Sequence, residues 1–160
     1  MPVSLRSTAI GATAVFALIQ LIPVHRTNPS FDPAGTIWAS TSAPPRIIAT
    51  FQRSCQDCHS NVTKWPWYSH VAPVSWVVAN DVNGGRRHFN VDEWGSYSMP
   101  KKQDRLTKTC EEVKSGGMPD SKYTFIHRGA KVSDQERVAL CDWAETARQA
   151  LVRAEIGAHP

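Results

Sequence analysis

The first contrast along this chain is between an uncharged apolar opening and a polar remainder punctuated by short amphipathic stretches. Ser7 to Val24 holds no charged residue, and Val15-Phe16-Ala17-Leu18-Ile19 runs on to Leu21-Ile22. The run is short for a spanning helix, which needs about 20 residues. A cleaved signal peptide would need small residues at its exit, whereas the exit here is Ile22-Pro23-Val24-His25. The pattern therefore predicts an uncleaved anchor over residues 1–25. Arg6 and the free amino terminus precede it, so the positive-inside rule leaves the N-terminus cytoplasmic and the rest of the chain outside.

Residues 26–44 read as a Pro-rich tether. Asn28-Pro29, Pro33 and Pro44 break any helix, and little apolar periodicity remains. Fully extended at about 3.3 Å per residue, it would reach roughly 60 Å. Beyond it, helical spacing returns. Pro44-Pro45 suit a first turn, and Ile47, Ile48 and Phe51 share a face of a helix running into Cys55. A second helix is predicted from Pro73 to Val82, stopped by Asn83-Gly84-Gly85, and a third from Lys101 to Lys114, where Leu106, Cys110 and Val113 recur. Ser133 to Val152 is the clearest, opened by the capping box Ser133-Asp134-Gln135-Glu136, with Leu140, Trp143, Ala144 and Ala147 in one stripe. No strand or internal repeat is visible. The expectation is an all-α domain over residues 45–152, followed by a tail over 153–160.

Composition changes this picture little. The formal charge of +4 comes without any dense Lys/Arg run, which argues against nucleic-acid binding and leaves a mild preference for an acidic partner. Four cysteines suggest an oxidising compartment. Cys110 and Cys141 are either a disulfide or two buried thiols, and spacing alone does not decide between them.

The chemistry lies in Cys55-Gln56-Asp57-Cys58-His59. Two thiols spaced by two residues can each add to a vinyl group on one edge of a haem, and the histidine that follows is then carried beneath the iron. Half a zinc site and a redox C-x-x-C are the competing readings. The first lacks a second Cys/His pair, and the second lacks a βαβ setting. With His59 as proximal ligand, the sixth position sets the chemistry: methionine gives an electron-transfer site, a second histidine lowers the potential, and an open position admits small ligands. Met118, in Gly116-Gly117-Met118-Pro119, is the leading candidate, since the glycines let the backbone approach a flat ring and the proline fixes the exit. Met99, His70, His88, His127 and the remote Met1 and His159 are the others. Trp65, Trp67, Tyr68 and Trp76 either wall the cofactor pocket or form ordinary core. Arg86 and Arg87 either pair with haem propionates or are solvated charge. Asp57 and Ser60 read as spacers or caps.

Taken together these stretches resemble the bacterial haem-binding domain family, small membrane-anchored relatives of c-type cytochromes. The resemblance rests on Ile22 to Pro29, on Cys55-Gln56-Asp57-Cys58-His59-Ser60-Asn61 with Thr63-Lys64-Trp65-Pro66-Trp67-Tyr68-Ser69, and on Val71 to Trp76. Gly85 to Asn90, Cys110 to Val113, Gly117-Met118-Pro119 and Ser133 to Arg137 complete it. Family members often carry acidic residues where Gly117 and His25 stand. The resemblance implies one haem c per chain, bound by Cys55 and Cys58, with His59 proximal and Met118 the counterpart of the distal methionine. The resulting expectation is a non-enzymatic electron carrier on the bacterial cytoplasmic membrane. Its cytochrome c-like domain would face the periplasm and serve redox partner proteins. A haem sensor with an open or labile sixth position is the alternative, and a small peroxidase with a distal acid–base pair a third.

Overall fold

The computed structural model describes residues 4–157, and no strand occurs among them. Helix α1 spans Leu5–Ile19, α2 Ile37–Ser40, α3 Pro45–Ser54, α4 Gln56–His59, α5 Val74–His88, α6 Met99–Ser115, α7 Ser121–Ile126 and α8 Asp134–Gly157. Short 3-10 turns at Pro33–Gly35, Trp67–His70, Val91–Ser96 and Arg128–Ala130 fill the loops between them. Met1 and His159 lie outside the described residues.

The core gathers where α6 and α8 pack along each other. Leu106 and Val113 meet Leu140, Trp143, Ala144 and Ala147, all buried. A disulfide between Cys110 and Cys141 joins the two helices, with Cα atoms 4.6 Å apart. Helix α6 ends at Gly116, whose φ of 77° is a left-handed cap that favours glycine. Helix α8 opens on the reciprocal pair expected there: the Glu136 N–H donates to Ser133 Oγ at 3.3 Å, and the Ser133 N–H donates to Glu136 Oε2 at 2.9 Å. Arg53 of α3 adds an ion pair to Glu136 at 2.8 Å, tying the helix before Cys55 to the start of α8.

Three expectations are corrected. Helix α1 has 15 residues. At 1.5 Å per residue that is about 22 Å, short of a ~30 Å hydrocarbon core. No helix among the described residues is long and apolar enough to cross a membrane, so the spanning anchor over 1–25 is not found. Residues 26–44 are not a free tether either. Thr36 and Ile37 are buried, and Trp38 stacks edge-on to Phe51 at 5.1 Å and lies 5.9 Å from Trp143. The prolines break helix but do not prevent packing, and the short α2 brings Ile37 and Trp38 into the core. Finally, Asn83-Gly84-Gly85 does not stop α5, which continues to His88. Gly85 serves a close approach instead, described below.

Two outcomes test this frame. Replacing both Cys110 and Cys141 by serine opens a loop of 31 residues' separation and should cost about 3–4 kcal/mol of unfolding free energy in denaturant titrations. The Glu136 carboxyl is held down at about 2, first by the Arg53 guanidinium and then by the Ser133 N–H. A carboxylate depressed in the folded state contributes stability above its ordinary value near 4.5, which is lost as pH falls through about 2. Glu136→Gln should therefore lower the melting temperature at pH 7, and the difference from the parent should vanish near pH 2.

Candidate functional site

The site starts at a break in the chain. Helix α3 closes on the Cys55 N–H, which donates to Phe51 O at 2.8 Å. At Cys55 the backbone departs from helix (φ −130°), and α4 begins as a single turn. The N–H groups of Cys58 and His59 both donate to Cys55 O, at 3.2 and 3.1 Å. One turn thus carries both thiols and the imidazole. The thiols are not paired with each other. Burial pushes Cys55 up to about 12 and Cys58 up to about 11. Both are neutral, unlike the lowered thiol of a redox C-x-x-C. Among the described residues no cluster of three or more His, Cys, Asp or Glu could hold a metal ion.

His59 is fixed by its neighbour across the fold. Its Nδ1 lies 2.8 Å from Phe89 O, which makes Nδ1 the protonated nitrogen and leaves Nε2 as a lone-pair donor. Burial lowers the His59 pKa, so the ring is neutral, as metal ligation requires. The Phe89 carbonyl is itself held by a buried network at the next residue. The Asn90 N–H donates to Tyr97 Oη at 2.9 Å, Asn90 Nδ2 donates to Asn61 Oδ1 at 2.8 Å, and the Asn61 N–H donates to Asp92 Oδ2 at 2.7 Å. The chain after His59 and the chain after Phe89 are thereby locked together. Helix α5 closes in from the other side. A Cβ on Gly85 would lie 2.9 Å from Cys58 Cβ, and closer still to the Cys58 carbonyl.

Asp57 is more than a spacer. Its Oδ1 accepts from the Lys64 N–H at 2.9 Å, and its Oδ2 accepts from Tyr123 Oη at 2.8 Å. The second bond draws the segment after Met118 against α4. Tyr123 stacks on His127 with centroids 4.5 Å apart, and His127 Nε2 meets the Tyr68 hydroxyl. His127 is therefore engaged as a loop anchor. Burial raises the pKa of both tyrosines, and Asp57 adds to the shift.

The remaining predicted residues divide. Arg86 is a structural clasp: Nε donates to Ser60 O, Nη1 to Thr27 O, and Nη2 to Asn28 Oδ1 and Thr63 Oγ1, all at 2.7–3.1 Å. Four protein acceptors meet the guanidinium, so Arg86 is neither free nor simply solvated but ties separate loops together. Trp65 donates its indole N–H to Asn28 Oδ1 at 3.2 Å, which makes it part of the same clasp. Trp67 is 78% exposed. The indole N–H of Trp76 on α5 is buried without a partner, as are those of Trp94 and Trp143. Met99 starts α6 and is half-buried there. Trp94, fully buried and set between Phe89 and Tyr97, is the core aromatic that periodicity did not single out. Asp57, Tyr123 and the Phe89 carbonyl were equally hidden, and only the acid inside the motif offered a signal.

Do these residues fit a haem? The free Nε2 and two neutral thiols on one turn suit one. So does an uncovered apolar surface. Val74 and Val77 lie at helical spacing from Gly85 on α5, and both are exposed, as are Met118, Phe125 and Ile126 on the segment that Tyr123 holds to α4. A cleft of about 260 Å3 lies behind the motif, lined by Phe31, Trp38, Phe51, Gln52, Val62 and Asp92 among others, but it excludes the cysteines and His59. A macrocycle would therefore cover an apolar face rather than enter a closed pocket.

Comparison with known proteins agrees. A family model described as a haem-binding domain matches residues 14–146. The cytochrome c peroxidase Ccp of Escherichia coli (strain K12) is 26% identical over 95 residues, covering 58% of this chain but 20% of that protein. The chain thus spans about a fifth of the relative it matches. No solved structure matches it.

Gly85→Ala should lower the haem content per chain and cost about 1–3 kcal/mol, because the new methyl meets backbone that cannot turn aside. Gly84→Ala is the control. Its nearest neighbour is the far end of Arg87 at 3.8 Å, so it should leave haem content unchanged and add about 0.5–1 kcal/mol.

Proposed function

Because the chain belongs to the haem-binding domain family, we propose that it carries one haem c and relays single electrons between protein partners outside the bacterial cytoplasmic membrane. Cys55 and Cys58 are the thioether donors, His59 Nε2 the proximal ligand and Met118 the distal one. The observation that carries this reading is the His59–Phe89 hydrogen bond, which presents a neutral imidazole nitrogen from the same turn as two free thiols. Haem, when bound, supplies a one-electron iron couple. The chain's part is to hold it, shield it and set its exposure. Helix α5 and the segment 118–126 supply apolar walls. On this reading the protein is an electron carrier rather than an enzyme, and redox proteins are its partners.

One observation favours a second reading. Met118 is 38% exposed and is anchored through its backbone, the Met118 N–H donating to Glu112 O at 3.0 Å. A labile sixth position would suit a haem-based sensor or ligand-binding module. The similarity to a cytochrome c peroxidase brings a third, but a peroxidase needs a distal acid–base pair. His70 and His88 are the histidines that could serve there, and both are exposed.

Met118→Ala decides between the first two. On the electron-transfer reading, wild type resists carbon monoxide in the reduced state, and the variant loses the sulfur-to-iron charge-transfer band while binding the gas readily. Pigment in both proteins should survive extraction with acidified organic solvent. Wild type that binds carbon monoxide as readily as the variant is the sensor outcome, and extractable pigment contradicts covalent attachment.

A further inference from the structure

We propose that Tyr123 is a positioning residue: its hydrogen bond to Asp57 is the latch that keeps Met118 at the sixth position of the iron, and breaking that bond opens the position to small ligands. The inference deepens the function proposed above and rests on its assignment of Met118.

The segment that carries Met118 is fixed at its ends and loose between them. On one side the Cys110–Cys141 disulfide and the packing of α6 on α8 hold the chain. On the other, Ala130 and Val132 are buried. In between, Gly116 and Gly117 leave the backbone room to swing. Helix α7 has no buried residue, and Met118, Phe125 and Ile126 are exposed. Apolar packing therefore does not fix where Met118 stands. The restraint has to come from hydrogen bonds.

Most of those bonds are local. The Met118 N–H donates to Glu112 O at 3.0 Å, which ties it to the end of α6 but not to α4. Asp120 caps its own helix, its Oδ1 accepting from the Lys122 N–H at 2.7 Å, and Thr124 Oγ1 donates back to Asp120 O at 3.3 Å. Among the described residues, side-chain bonds leave α7 and its C-cap at Tyr123 and at His127. These two stand four residues apart, hence on one face, and their rings stack with centroids 4.5 Å apart.

The two ties end in different places. His127 reaches Tyr68, on the 3-10 turn Trp67–His70. Tyr123 Oη donates to Asp57 Oδ2 at 2.8 Å, and Asp57 lies on α4, next to Cys58 and two residues before His59. The Tyr123 bond is thus the one that joins the turn of the proximal ligand to the segment of the distal one. Its acceptor does not follow α7 outward. Asp57 Oδ1 accepts from the Lys64 N–H at 2.9 Å, and Asp57 O accepts from Thr63 Oγ1 at 2.7 Å. A carboxylate acceptor also makes this the stronger kind of hydrogen bond. One such bond shifts the balance between a held and a released segment about tenfold or more.

The test uses the full haem-loaded chain. It reads the sulfur-to-iron charge-transfer band of the oxidised protein, the carbon monoxide affinity of the reduced protein, and amide hydrogen exchange over residues 118–127. Tyr123→Phe removes the hydroxyl and keeps the ring on His127. It should weaken the band, raise the gas affinity about tenfold or more, and speed exchange over 118–127 but not in α8. Asp57→Ala should do the same, and Tyr123→Phe decides alone where Asp57→Ala fails to take up haem. Glu136→Gln separates loss of the latch from loss of stability. It weakens an ion pair outside this segment and should leave both band and gas affinity unchanged. Tyr123→Phe with the band and gas affinity of wild type overturns the proposal, as does Glu136→Gln that reproduces its effects. Wild type that lacks the band fails the assignment of Met118 and the latch with it. An intact wild-type band beside an unresponsive Tyr123→Phe fails the latch alone.

Discussion

The bond from the His59 imidazole to the Phe89 carbonyl is the constraint around which the rest of this small domain is arranged. It joins the two stretches of chain that must meet if one ring nitrogen is to be held and the other presented. Its acceptor is a backbone atom, so no single side chain supplies it. The fold supplies it instead, through the buried Asn61–Asn90–Asp92 network and the phenol of Tyr97. Buried polar groups of this kind are costly unless fully paired, and these are paired with one another.

Around that bond the domain builds its neighbourhood from unlike parts. Gly85 contributes by lacking a side chain, so that α5 can lie against Cys58. Asp57 contributes a carboxylate that reaches in two directions and fastens the segment after Met118 to the turn bearing the thiols. Arg86 gathers Thr27, Asn28, Ser60 and Thr63, so the N-terminal extension closes the same loop. A domain of this size gains from such ties, because its apolar core is shared between few elements.

What the sequence made legible followed from local rules. The helices at α3, α6 and α8 carry apolar residues at helical spacing, and the Ser133–Glu136 box announces its own boundary. The Cys55–His59 motif stands out in the sequence because its residues are contiguous. The misreadings were all tertiary. Gly84-Gly85 looks like a stop when it is a contact, because nothing local shows that another backbone passes there. Pro-rich 26–44 looks like a lead because prolines exclude helix, yet Ile37 and Trp38 find the core. Arg86 looks free, because its four acceptors come from residues 23 to 59 positions away.

The four cysteines carry a consequence for how the molecule is made. Cys110 and Cys141 are joined, while Cys55 and Cys58 remain thiols on a single turn. Biogenesis must therefore bring one pair to the oxidised state and spare the other within the same chain and milieu. The joined pair sits on two helices that pack along each other, which makes each of these cysteines the near partner of the other. It also encloses residues 111–140 in a covalent ring, so Met118 and Tyr123 both lie on a closed loop of chain whose ends cannot drift apart.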